Sequence, residues 1–164
     1  MESARLAVPA DLARLAEVAS VCFAELSTQR GGGVWSRLEA RQPPFAVSLG
    51  EALAEPERHV FAGLIDEYIV GYAVLWVAPL TDGARLGVIE DLFVEAPFRE
   101  VGVGEALMDE LARAATVAGC EGVESMALPG DRATKNFFES FGLVARSIRV
   151  FRRSEERRVG KECA

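Results

Sequence analysis

The most constraining stretch of this 164-residue chain is a junction between two kinds of periodicity. A strand-like run, Gly87 to Val94, is followed by Arg99-Glu100-Val101-Gly102-Val103-Gly104 and then by an amphipathic run from Glu105 to Ala118. Leu107, Leu111, Ala114, Ala115 and Ala118 share one helical face, and Gly119 is placed to end the helix. A strand that turns on glycines into a helix gathers several unpaired N–H donors and the positive dipole end in one small volume. Such a junction suits a phosphate. Taken alone, the six residues are also compatible with an ordinary glycine-softened turn.

The chain has the length of one compact domain able to bury a substantial core. Half of it is hydrophobic and 26% is charged, as in an ordinary globular protein. A net charge of -7 and a pI near 4.9 argue against nucleic acid as a partner, since a phosphate-backbone footprint needs clustered Lys and Arg. No apolar stretch has the length of a membrane span, and Pro9 and Asp11 interrupt the region where a signal peptide would need an apolar core. A cytoplasmic protein without a membrane partner is the expectation. Cys22, Cys120 and Cys163 are too dispersed for a disulfide framework or a zinc spacing, so no metal is expected, and Cys22 reads as a packed thiol on an apolar helix face.

The segment from Arg153 to Cys163 resembles the translation of a sequencing adapter, and a disordered charged tail is the alternative reading. Residues 153–164 are therefore set apart from a single domain over residues 4–152. Removing them takes away four bases and three acids, so the acidic balance survives.

Along the domain, Arg5 to Val8 predicts a short strand, and Leu12, Leu15, Val18, Ala19, Cys22, Phe23 and Leu26 predict a helix. Gly31-Gly32-Gly33 and Pro43-Pro44 punctuate a loop around a short helical piece at Val34 to Arg41, and Ser48 to Ala54 predicts another helix. Val60 to Ile65 and Ile69 to Val77 read as a hairpin, followed by the strand at Leu86 to Val94. Glu121 to Leu128 is a strand candidate, Asp131 to Phe141 a helix capped by Asp131, and Leu143 to Arg152 a final strand.

With Val88-Ile-Glu-Asp-Leu-Phe-Val94 before the glycine loop and Asn136-Phe-Phe-Glu-Ser-Phe-Gly-Leu143 near the end, this order resembles the GNAT acetyltransferase superfamily. The resemblance implies an α/β (α+β) fold with a central mixed, mostly antiparallel sheet of six or seven strands flanked by about four helices. It implies acetyl-CoA as co-substrate and direct acetyl transfer to a small-molecule amine, and it leaves a homodimer open. A dinucleotide-binding domain fits less well, because Leu107 stands where the third small residue of that glycine motif belongs.

The resemblance assigns the pyrophosphate to Arg99, Glu100, Val101, Gly102, Val103 and Gly104, and the pantetheine to the backbone of Leu92, Phe93 and Val94. Asp131 and Phe138 complete the cofactor side. Glu90 and Asp91 are the acids available to deprotonate an ammonium, which must lose a proton before attack. Adjacent strand residues point to opposite faces, so only one acid should face the acceptor; Glu90 is favoured and Asp91 reads as a structural carboxylate. Phe138 stands where many relatives carry a proton-donating tyrosine, and phenylalanine cannot donate, which leaves water, the substrate, Tyr68 or Tyr72 for that role. Glu100 and Val101 also depart from the usual loop, and an acid beside a pyrophosphate is unfavourable. Trp35 follows three glycines where the acceptor pocket is built, whereas Trp76 reads as core and His59 as a turn or surface residue. Besides a small-amine enzyme, a weakly active acyl-CoA-binding module and a protein or peptide acetyltransferase are the alternatives.

Overall fold

The computed structural model describes residues 1–154; most of the adapter-like tail lies outside the described residues. Five strands occur in the sheet in chain order: β1 (Glu2–Leu6), β2 (Arg58–Ile65), β3 (Tyr68–Pro79), β4 (Arg85–Val94) and β5 (Val123–Glu124). The first four pair antiparallel, and β5 runs parallel to β4. Helices α1 (Leu12–Ser27), α2 (Gly32–Leu38) and α3 (Phe45–Ala54) follow β1. Helix α4 (Val103–Val117) joins β4 to β5, and α5 (Arg132–Ser140) follows β5.

Both sheet faces are covered, which explains why β3 reads as a continuous apolar run rather than an alternating one. Leu15, Val18 and Cys22 of α1 and Leu49 of α3 pack on Tyr72, Val74 and Phe93. On the opposite face Leu107 and Leu111 of α4 and Phe138 of α5 pack on Ala73, Leu75 and Ile89. The two cores make α4 and α1 sandwich the sheet.

Two irregularities interrupt β4. Leu75 pairs with Ile89 and Val74 with Asp91, so Glu90 is an extra residue without a partner, a β-bulge. In addition β4 and β5 pair only at Gly87↔Val123 and Val88↔Glu124, after which the two chains part. Ser125 Oγ donates to the Ile89 carbonyl at 3.1 Å across the start of the split.

The sheet is smaller than the sequence predicts. Glu121 to Leu128 contributes only the two residues of β5, and Leu143 to Arg152 forms no strand. Its alternating Val144, Ile148 and Val150 have strand propensity, but a strand also needs an edge to pair with, and β5 presents two residues. Among the described residues, no backbone–backbone hydrogen bond is made beyond the Leu143 N–H, which donates to Phe138 C=O. The ribbon is tied down by ion pairs of Arg146 with Glu124 and of Arg149 with Glu39. Among the described residues the five α-helices fall where the sequence predicts helical segments, including both α2 and α3 between α1 and β2.

Candidate active site

The split between β4 and the chain after β5 opens into a cavity of about 540 Å³. One wall comes from α1, Trp35 of α2, Arg41 of the loop between α2 and α3, and Phe45 of α3; the other comes from the start of α4, α5 and residues 125–128. Of the thirteen residues expected at the site, Glu90, Asp91, Leu92, Phe93, Val94, Arg99, Glu100, Gly104, Asp131 and Phe138 line this cavity. Val101 is exposed, Gly102 caps α4, and the Val103 side chain is buried in the core beneath the helix.

The bulge overturns the expectation that the two acids face opposite ways. The extra residue resets the alternation, so Glu90 and Asp91 both reach the guanidinium of Arg41, at 3.5 and 2.8 Å. Asp91 accepts twice from Arg41 (3.1 and 2.8 Å) and once from the Tyr72 hydroxyl (2.8 Å). Glu90 accepts two bonds of 2.9 Å from Arg58, which also pairs with Glu55. Tyr72, Asp91, Arg41, Glu90 and Arg58 thus form one connected polar chain. Burial works against the Arg41 charge, but the Asp91 hydrogen bonds more than offset it, and the guanidinium is held above its ordinary value. Arg58 is held up chiefly by its hydrogen bonds to Glu90.

Burial, and then the Asp91 charge, push the Tyr72 phenol well above its usual range, so it stays protonated. Burial likewise pushes the Cys22 thiol up, consistent with a packed thiol rather than a nucleophile. Tyr68 lies outside the cavity, its ring beneath Arg14 at 4.7 Å and 6.4 Å from Phe98. His59 falls within β2, opposite Leu75. Trp76 is half-buried with Arg58 stacked 5.2 Å from its ring centre, so the expected core tryptophan supports the polar chain from outside.

The other end of the cavity meets the glycine loop. Gly102 caps α4 with φ +99°, a left-handed conformation that glycine adopts freely, and the next residues start the helix. Among the described residues the amides of Val103, Gly104 and Glu105 meet no backbone acceptor; the first intrahelical bond runs from Ala106 N–H to Gly102 C=O. Beyond the split, β4 has no strand along its outer edge among the described residues. Arg99 does not point into the loop: its Nε donates to the Val94 carbonyl at 2.7 Å, it pairs with Glu25, and it covers Phe93 at 5.1 Å. Because backbone groups alternate sides along a strand, this contact places the polar groups of Leu92 and Val94 on the open edge and those of Phe93 toward β3. Asp131 caps α5 as predicted, accepting from Thr134 N–H at 3.2 Å.

An open strand edge beside a set of free helix amides fits an extended amide-bearing chain ending in a pyrophosphate. The sequence matches the model of the Acetyltransferase (GNAT) family over residues 20–143. The chain belongs to this family. No curated protein matches it in sequence. Among solved structures, this GNAT chain is similar in fold to a Bacillus halodurans protein solved as a tetramutant (TM-score 0.78, 18% identity, 92% of this chain and 98% of that one). It is also similar to a ribosomal-protein-alanine N-acetyltransferase from Brucella melitensis (TM-score 0.69, 18% identity, 94% and 100% covered). A third neighbour, AAC(6')-Iy in complex with the bisubstrate analog CoA-S-monomethyl-acetylneamine, gives TM-score 0.69 at 18% identity, with 94% and 98% covered. As a GNAT acetyltransferase the chain uses acetyl-CoA, whose thioester supplies the acetyl group.

Sequence reasoning left out Arg41, Arg58, Glu25, Gln29 and Phe137. Arg41 precedes two prolines in a loop with no motif, and only the folding of α2 and α3 over the sheet brings it to Asp91. Phe137 had a signal, since it stands beside Phe138 in the aromatic segment.

Proposed function

We propose that this GNAT chain transfers the acetyl group directly to the neutral primary amine of a small molecule, with Glu90 receiving the amine's proton. The observation that supports it most is the bulge, which sets two carboxylates in the cavity that the open β4 edge and the α4 amides also line. Asp91 is bound by Arg41 and Tyr72 and is nearly sealed, at 9% side-chain exposure, so it holds the site in shape. Glu90 retains 24% exposure and spare lone pairs, which lets it take a proton directly or through one water. The Tyr72 hydroxyl is held protonated and donates to Asp91, which leaves water or the substrate ammonium to protonate the departing thiolate.

Thiol release from acetyl-CoA across an amine library tests the reading, with Glu90→Gln beside the parent. We expect the variant to lose about 10²-fold or more in turnover near neutral pH. Undiminished turnover at every pH removes Glu90 from the mechanism. A second reading, a weakly active acyl-CoA-binding module, draws support from Glu100 and Glu105 beside the helix amides and from Arg99 being turned away. Acetyl-CoA binding without transfer to any amine would establish it instead.

A further inference from the structure

The acceptor wall of the cavity is aromatic, and its charges are already matched. Phe23 lies 6.2 Å from Trp35 and 5.6 Å from Phe45, ring centre to ring centre, and all three rings line the cavity. The acids on this side each hold a guanidinium: Glu25 pairs with Arg99 at 2.7 Å, Asp91 with Arg41 at 2.8 Å and Glu90 with Arg58 at 2.9 Å. The remaining lining acids, Glu100, Glu105 and Asp131, belong to the glycine loop, α4 and the α5 cap, on the cofactor side. Among the described residues, a second or third ammonium would therefore meet no unpaired carboxylate on the acceptor wall.

Resting on the acetyl-transfer reading above, we infer that the acceptor is a monoamine with an aromatic body, its ring held against Phe23, Trp35 and Phe45. A flat ring meets tilted aromatic neighbours favourably, whereas a polyamine or aminoglycoside would bury hydrated groups against them.

The test runs phenethylamine, tyramine, spermidine and kanamycin with acetyl-CoA, reading kcat/KM by thiol release. In parallel, binding of each amine is followed by fluorescence in a Trp76→Phe protein, where Trp35 is the remaining tryptophan of the two in the chain. The aryl amines should exceed the polycations by about tenfold or more in kcat/KM, and they should quench Trp35 saturably. Equal or reversed preference overturns the inference while leaving acetyl transfer standing. Saturable Trp35 quenching by phenethylamine without transfer to any amine supports the pocket and overturns the acetyl-transfer reading. Neither transfer nor quenching overturns both.

Discussion

Glu90 and Asp91 carry the same charge on adjacent residues, yet their surroundings divide the work between them. Asp91 accepts from Tyr72 and twice from Arg41, whose own side chain is only 13% exposed. Asp91→Asn keeps the shape and removes the charge that Arg41 is buried against. With Glu90 still 3.5 Å away, we expect a loss of about 3 kcal/mol in urea unfolding, the low end for breaking a buried pair. Asp11 offers a second residue-scale test. Its hydrogen bonds to Arg5 hold its carboxyl below the ordinary value against the pull of burial, and the Val8 N–H adds to this at 2.9 Å. A carboxyl lowered in the folded state stabilises fully above its unfolded pKa of about 4, and the benefit is lost as pH falls through the folded value. Asp11→Asn should therefore cost about 1 kcal/mol at pH 7, and the difference from the parent should shrink toward zero in strong acid, as urea unfolding at both pH values would show.

Among the elements, those whose periodicity and boundaries agree locally are legible in the sequence. The β2–β3 hairpin turns at Asp66 and Glu67 as expected, and α4 ends where Gly119 follows it. Where the fold departs, the cause is a neighbour. Residues 143–152 alternate like a strand but find no edge, and α3 begins at Phe45 rather than Ser48 because Phe45 packs against the α1 core. Gly63 shows how closely α4 lies on the sheet: a Cβ there would stand 2.7 Å from Val103 Cγ1 and 3.0 Å from Leu107 Cδ1. Gly63→Ala should cost about 1–3 kcal/mol by overpacking, measured by thermal or chemical unfolding. Gly102→Ala combines φ +99° with a 2.8 Å approach to Glu2 Cγ. It should cost about 1–3 kcal/mol in stability and weaken CoA binding in calorimetry by displacing the first turn of α4.

At the scale of the whole molecule, the cofactor side and the acceptor side of the proposed site differ in how far sequence reaches. The cofactor side is one contiguous stretch, 90–104, with α5 added, so local spacing exposes it. The acceptor side is assembled from α1, Gln29, Trp35, Arg41 and Phe45 over a β-strand, and no periodicity links them. The ribbon after Leu143 is a further property of the assembled molecule. Its backbone is unpaired among the described residues, and Ile148, Val150 and Phe151 are 84%, 92% and 69% exposed. Limited trypsin should cut first after Arg146 and Arg149, and the clipped protein should still bind CoA, since no described residue of the ribbon lines the cavity.

The bulge at Glu90 makes the paired acids a matter of chain length as much as of residue identity. Deleting either residue between Ile89 and Leu92 would restore strict alternation and leave a single acid opposite Val74, so the pair exists only because of the extra residue. In a lineage of such chains, gain and loss of this one residue would add and remove the second carboxylate while leaving the glycine loop in place.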